Sequence, residues 1–157
     1  MYQPVPCLGV AIANLQFLLW RFYDKSILCH IWRLLLNYFM SIQVYGIPNC
    51  STCKKAMMWL QHNNIDHEFI NTKDTPPTRE MIQNWVKSLG FAPMRNTSGQ
   101  SYRALGDEKK TWGDEQWVDA FTHDAMLLKR PLFVKDGKAV LVGFRDEGIV
   151  REKLDLA

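Results

Sequence analysis

Between Ile42 and Asn71 the spacing of apolar residues changes period twice, and this switch constrains the fold more than any other feature of the chain. Ile42-Gln43-Val44-Tyr45-Gly46 is rich in β-formers and alternates apolar with polar side chains, as a half-buried strand does. Pro48 ends that run. Ser51 to Asn63 then places Ala56, Met57 and Leu60 on one side and Lys54, Lys55 and Gln61 on the other, the spacing of an amphipathic helix. Asn63-Asn64 closes the helix, and His67 to Asn71 reads as a second strand. Strand, helix and strand in so short a span predict a right-handed parallel crossover.

Beyond it, Pro76-Pro77 breaks the chain and Thr78 is expected to cap a second helix. That helix has the face Met81, Ile82, Trp85, Val86 and Leu89 and ends at Gly90. Pro93 to Gly99 reads as a loop and Ser101 to Leu105 as a helical turn, and Asp114 is expected to cap a helix carrying Trp117, Val118 and Phe121. Leu132 to Lys135 and Ala139 to Gly143 are two strands, and Asp136-Gly137 between them signals a type I′ hairpin turn. A last helix runs from about Asp146 to Leu154. The order is β-α-β, a helical insert, a β-hairpin and a C-terminal helix. One four-stranded mixed sheet with helices packed on it satisfies that order, an α/β fold of thioredoxin-like architecture.

This pattern occupies residues 40–157, and residues 1–39 differ from it. Leu8 to Trp20 is apolar and uncharged, and Ser26 to Met40 is broken only by Arg33. Neither run has the roughly 18 clean apolar residues of a membrane span. Met1 to Gly9 carries no Lys or Arg, which speaks against a signal peptide. Three readings remain for this apolar leader: a segment without a fold of its own, translated from a start upstream of Met40; a membrane-surface helix carrying Trp20, Phe22, Tyr23 and Trp32; or a helical cap on the domain. Charged residues at 22% and apolar ones at 47% are globular values and exclude disorder as the general state. A net charge of +3, without a Lys/Arg block, gives no ground for direct nucleic-acid binding.

Four cysteines, Cys7, Cys29, Cys50 and Cys53, are too few for a disulfide-stapled secreted scaffold. In a non-secreted, cytoplasmic chain the Cys50-Ser51-Thr52-Cys53 spacing reads as a redox or metal site. Zinc normally takes four ligands, and there is no second C-x-x-C or H-x-x-x-H, so no metal is expected. Cys50 falls where the first strand turns into its helix. Unpaired N–H groups and the helix dipole there favour a thiolate, so its pKa should lie below the free value of about 8.5. Lys54 and Lys55, one turn on, should add positive field. Cys53 shares that helical face, which makes it a resolving thiol or a small buried hydrophobe. Arg130 precedes Pro131 at the start of the third strand. In a thioredoxin arrangement this segment lies beside the nucleophile, often with a cis peptide bond, and a guanidinium there can fork onto an oxyanion. Arg95 and Asn96 are further candidates for that role, and a solvated side chain is the alternative for each arginine.

Four short pieces, in this order, resemble the arsenate reductase family and its Spx and MgsR relatives. They are Val44-Tyr45-Gly46-Ile47-Pro48-Asn49-Cys50 with Cys53-Lys54-Lys55-Ala56; Asn96-Thr97-Ser98-Gly99 with Tyr102-Arg103-Ala104-Leu105-Gly106; Lys129-Arg130-Pro131-Leu132; and Val142-Gly143-Phe144. The resemblance covers nearly all of 40–157 and is strongest to the subgroup known only as arsenate-reductase-like. It implies a thioredoxin fold, a cysteine at the helix start that attacks arsenate, and arginines that hold the oxyanion. Glutaredoxin, thioredoxin or a second cysteine then releases arsenite, so a thiol reductant is implied and no tightly bound cofactor. Cys50 matches the nucleophile and Arg130 the arginine before the cis-proline. With Tyr102 in register, Asn96 rather than Arg95 stands at the middle-loop position. Gly143-Phe144 replaces a third arginine, and Arg145 is displaced from it. A charge-assisted contact contributes about 1.5–3 kcal/mol, so losing two could weaken arsenate handling a hundredfold or more.

The sequence therefore supports a cytoplasmic thiol-dependent reductase of the arsenate-reductase type, with Cys50 as nucleophile and Cys53 as resolving thiol. The C-x-x-C pair and Gly143-Phe144 also suit the Spx-like branch, whose members bind RNA polymerase and use the pair as a redox switch. A general thiol–disulfide oxidoreductase is a third reading.

Overall fold

A computed structural model describes residues 42–156, so the apolar leader and the readings attached to it lie outside the described residues. Strand β1 (Ile42–Gly46) leads through a turn at Pro48-Asn49 into helix α1 (Ser51–His62), and β2 (His67–Asn71) follows. Helix α2 (Arg79–Leu89) begins a helical insert that also contains α3 (Phe91–Met94), α4 (Gln100–Ala104) and α5 (Asp114–His123). Single 3-10 turns lie at Asp107–Lys110 and Ala125–Leu127. The hairpin β3 (Leu132–Lys135) and β4 (Lys138–Val142) precedes the final helix α6 (Glu147–Lys153).

The four strands form one mixed sheet in the order β2-β1-β3-β4. β1 pairs parallel with β2, Val44 opposite Phe69, and antiparallel with β3, Val44 opposite Phe133. This is the α/β, thioredoxin-like sheet expected from the sequence. Alternation along the strands sends successive side chains to opposite faces. Tyr45, Leu132 and Val134 therefore join Ile82, Trp85, Trp117 and Phe121 under α2 and α5. Val44 and Phe133 join Ala56, Trp59, Leu60 and Val150 under α1 and α6. Full burial of each large apolar side chain contributes roughly 1.5–3 kcal/mol, and both layers need the sheet between them.

Local chemistry sets most boundaries. Thr78 accepts a hydrogen bond from the Met81 N–H at the start of α2, and Gly90 ends that helix with φ 78°. Asp136 and Gly137 both take positive φ, 53° and 73°, as a type I′ turn requires. The structure departs from the sequence reading in three places. Gly113, not Asp114, is the N-cap of α5: its N–H donates to Gln116 Oε1 at 3.0 Å, which provides capping without a cap side chain. The expected loop at Pro93 to Gly99 starts inside a helical turn, because proline is tolerated within the first turn, where its missing N–H has no helical partner. Strand β4 runs one residue earlier than expected, since Gly143 turns out of it with φ 80° while its N–H still reaches the Pro131 carbonyl at 2.7 Å.

Candidate active site

The turn after β1 fixes the first cysteine. The Cys50 N–H donates to the Ile47 carbonyl at 3.2 Å, closing a four-residue turn with Pro48 at the position where its fixed φ fits. Cys50 is then the N-cap of α1, with φ −94° and ψ 120°, and its own carbonyl accepts from the Lys54 N–H at 3.0 Å. As a neutral thiol it makes no capping hydrogen bond. As a thiolate it faces the free N–H groups of Thr52 and Cys53, the usual targets of a capping side chain.

Burial opposes ionisation of Cys50, but three hydrogen bonds outweigh it: from the Cys53 N–H, the Cys53 thiol and the Thr52 N–H. The Arg130 charge adds to them, and the pKa lies below the ordinary thiol value. Lys54 and Lys55 have no part in this. Both side chains point to solvent, and the cation that reaches the sulfur is Arg130, some eighty residues away in sequence. Cys53 behaves in the opposite way. It is 1% exposed, and burial pushes its thiol up to about 11, helped by its hydrogen bond to Cys50 and the charge there. One sulfur biased towards its thiolate and one biased towards its thiol thus share one helical turn.

Gly46 makes room for the second thiol, a role the sequence reading did not give it. A Cβ at Gly46 would lie 2.6 Å from Cys53 Sγ and 3.3 Å from the Phe69 ring. Buried Thr72 holds the Gly46 carbonyl with its N–H at 2.9 Å and its hydroxyl at 3.2 Å. Beside the pair lies an apolar groove of about 340 Å³, lined by Ile47, Pro48, Lys54, Met57, Met58 and Phe69. Met58 is 61% exposed there.

The Arg130–Pro131 peptide bond is cis and Pro131 is buried; Arg130, just before β3, brings its charge to bear on Cys50. Its Nη1 donates to Met126 Sδ at 3.4 Å. Asn96 stands close by in the fold, its Nδ2 donating to the Met126 carbonyl at 3.3 Å. Arg95 has other partners: its guanidinium stacks 5.4 Å from the Trp117 ring centre and 5.5 Å from that of Phe91, and its Nε donates to the Ala92 carbonyl. Of the middle-loop pair, Asn96 is tied to the residue that contacts Arg130, and Arg95 to the aromatic cluster. Phe144 packs on Trp59, 5.8 Å between ring centres, and Arg145 lines a separate cavity of about 330 Å³ with Lys129 and Lys153. Neither Arg95 nor Arg145 is among the charges acting on Cys50. Among the described residues no cluster of His, Cys, Asp and Glu could hold a metal ion. No helix among them is long and apolar enough to cross a membrane.

The family model described as "ArsC family" matches residues 45–151. The crystal structure of a possible arsenate reductase from Streptococcus mutans is 38% identical, with a TM-score of 0.66, over 74% of this chain and 98% of that one. The uncharacterized protein YusI of Bacillus subtilis is 33% identical over 112 residues, 69% of this chain and 94% of YusI. The global transcriptional regulator Spx of Lactiplantibacillus plantarum is 29% identical over 110 residues, 69% of this chain and 83% of that protein.

Proposed function

This chain belongs to the ArsC family, and from that premise we propose that it is a thiol-dependent reductase in which the Cys50 thiolate attacks an arsenate-class oxyanion or a disulfide. The observation that carries this reading is the placement of one activated sulfur at the N-terminus of α1, beside Arg130 and in hydrogen-bond contact with a second, protonated sulfur. With arsenate, Cys50 forms a sulfur–arsenic bond as one oxygen leaves, protonated, as water. Cys53 then loses its proton and attacks the Cys50 sulfur. The sulfur–arsenic bond breaks, its electron pair stays on arsenic, and arsenite departs from a Cys50–Cys53 disulfide. Arsenic gains the two electrons that the thiols lose, and an outside dithiol such as glutaredoxin or thioredoxin restores the pair.

The sulfurs act in a fixed order. Before capture, burial first and then the Cys50 thiolate keep Cys53 protonated. Once Cys50 is covalently occupied, that sulfur's own charge no longer opposes ionisation of Cys53, while burial still does. The resolving thiol is therefore restrained until there is a product to release. The test is turnover of the full chain with arsenate and either glutathione plus glutaredoxin or thioredoxin plus its reductase. Arsenate-dependent thiol oxidation that Cys50→Ser abolishes supports the reading; no arsenate-dependent turnover with either system refutes it.

One observation favours a second reading. The Gly143-Phe144 pair stands at the place of the family's third arginine, and Phe144 packs on Trp59, which leaves the oxyanion short of a cation. A redox sensor that engages RNA polymerase, as its likeness to Spx suggests, has no need of that arginine. Oxidant-dependent capture of polymerase subunits by the purified chain, without arsenate turnover, would select it.

A further inference from the structure

We propose that Met126 is a positioning residue that holds the Arg130 guanidinium at the Cys50 site and ties the Asn96 carboxamide to the same turn. The proposal rests on the reading of Arg130 as the anion-holding side chain. Met126 lies in the 3-10 turn Ala125–Leu127 and is fixed at its own N–H, which donates to Asp124 Oδ1 at 2.7 Å. Its two acceptors then face the two candidate anion ligands. The carbonyl takes Asn96 Nδ2 at 3.3 Å, and Sδ takes Arg130 Nη1 at 3.4 Å.

Backbone pairing makes that arrangement specific. The Asn96 N–H donates to the Leu127 carbonyl at 2.8 Å, and the Lys129 N–H to the Met94 carbonyl at 2.7 Å. Arg95 and Leu128 form an antiparallel bridge between these two bonds. The segment after α3 is thereby zipped to the segment before β3, and Met126 joins their side chains where the zipper ends.

The chemistry of the holder also fits. A carboxylate would grip a guanidinium harder but would cancel the charge that Arg130 brings to the sulfur. A thioether is a weak, uncharged acceptor. It orients one N–H and leaves the cation and its remaining donors for an anion.

The test uses the full chain and two alkylating reagents of nearly equal size, iodoacetate, an anion, and iodoacetamide, which is neutral. Both consume the same Cys50 thiolate, so the ratio of their rates at Cys50, followed by peptide mass spectrometry at neutral pH, reads the positive charge presented at the sulfur. Arg130→Ala sets the floor of that ratio. Met126→Leu, which keeps the volume and loses the acceptor, is expected to lower the ratio roughly two- to tenfold, the range of one hydrogen bond. It should change nothing further in the Arg130→Ala background. Met126→Gln, unbranched and carrying an amide oxygen near the sulfur's place, is expected to restore the ratio. A residue that only filled space would show the reverse order, with Leu like wild type and Gln impaired. An unchanged ratio in Met126→Leu, or Gln no better than Leu, overturns the proposal. Neither reagent is arsenate, so failure of the reductase reading would appear separately, as absent turnover with the wild-type ratio intact.

Discussion

The site is assembled from two regions built in different ways. The β1–α1 junction is made by neighbours in sequence: Pro48 sets the turn, Cys50 caps the helix, and the N–H groups of Thr52 and Cys53 stabilise its thiolate. The opposite wall is made by segments some thirty residues apart, the stretch after α3 and the stretch from Asp124 to Pro131, held by cross-segment hydrogen bonds. The first region supplies a nucleophile and the second a cation. A backbone-made thiolate tolerates most side-chain changes around it. A cation held through side-chain contacts does not. Reactivity towards any electrophile should therefore follow the first region, and preference for anions the second.

The largest expected effect strikes the first region alone. Cys50→Ser should reduce both alkylation and turnover to background, since only the low-pKa thiolate attacks. Arg130→Ala should split the two properties. Reaction with an anionic substrate should fall about 10- to 150-fold, as expected for one charge-assisted contact of about 1.5–3 kcal/mol, while reaction with a neutral disulfide falls far less. Equal losses with both substrates would erase the distinction between the regions.

Two smaller effects probe how the sulfurs are packed together. Gly46→Ala should destabilise the fold by about 1–3 kcal/mol, because its Cβ would overlap Cys53 Sγ. Much of that loss should disappear in a Cys53→Ala background, and denaturant melts of the four combinations measure the coupling. Cys53→Ser should accumulate a mixed disulfide of Cys50 with glutathione, whereas the wild type should discharge it and end as an internal disulfide, visible by intact mass. If Cys53→Ser releases glutathione as the wild type does, Cys53 is packing and the resolving thiol comes from outside. The smallest effect is expected from Lys54→Gln with Lys55→Gln, which should leave the Cys50 pH profile where it was, since both lysines face solvent.

The same division explains what the sequence makes legible. The succession of strands and helices along the chain, the α1 junction and the paired cysteines follow from period, proline and spacing, which act within a few residues. Arg130 is visible because a proline follows it. Gly46 gives no such signal, because its partner Cys53 meets it only once α1 lies back on the sheet. Met126 is equally silent, since neither Asn96 nor Arg130 is near it until the insert folds. Lys54 and Lys55 mislead for the converse reason. They are close to Cys50 in sequence, but their helical positions turn them outward. The Gly113 cap escapes notice because its N–H donates to the Gln116 side chain and no cap side chain takes part.

The central claim, that the start of α1 together with Arg130 makes Cys50 a thiolate while Cys53 stays protonated, is tested most directly by the pH dependence of iodoacetamide alkylation of the full chain, resolved peptide by peptide. Cys50 should titrate below about 8.5, the free-thiol value, and Cys53 only near pH 11. A Cys50 midpoint at or above the free value, or a Cys53 that alkylates alongside it, would contradict the account.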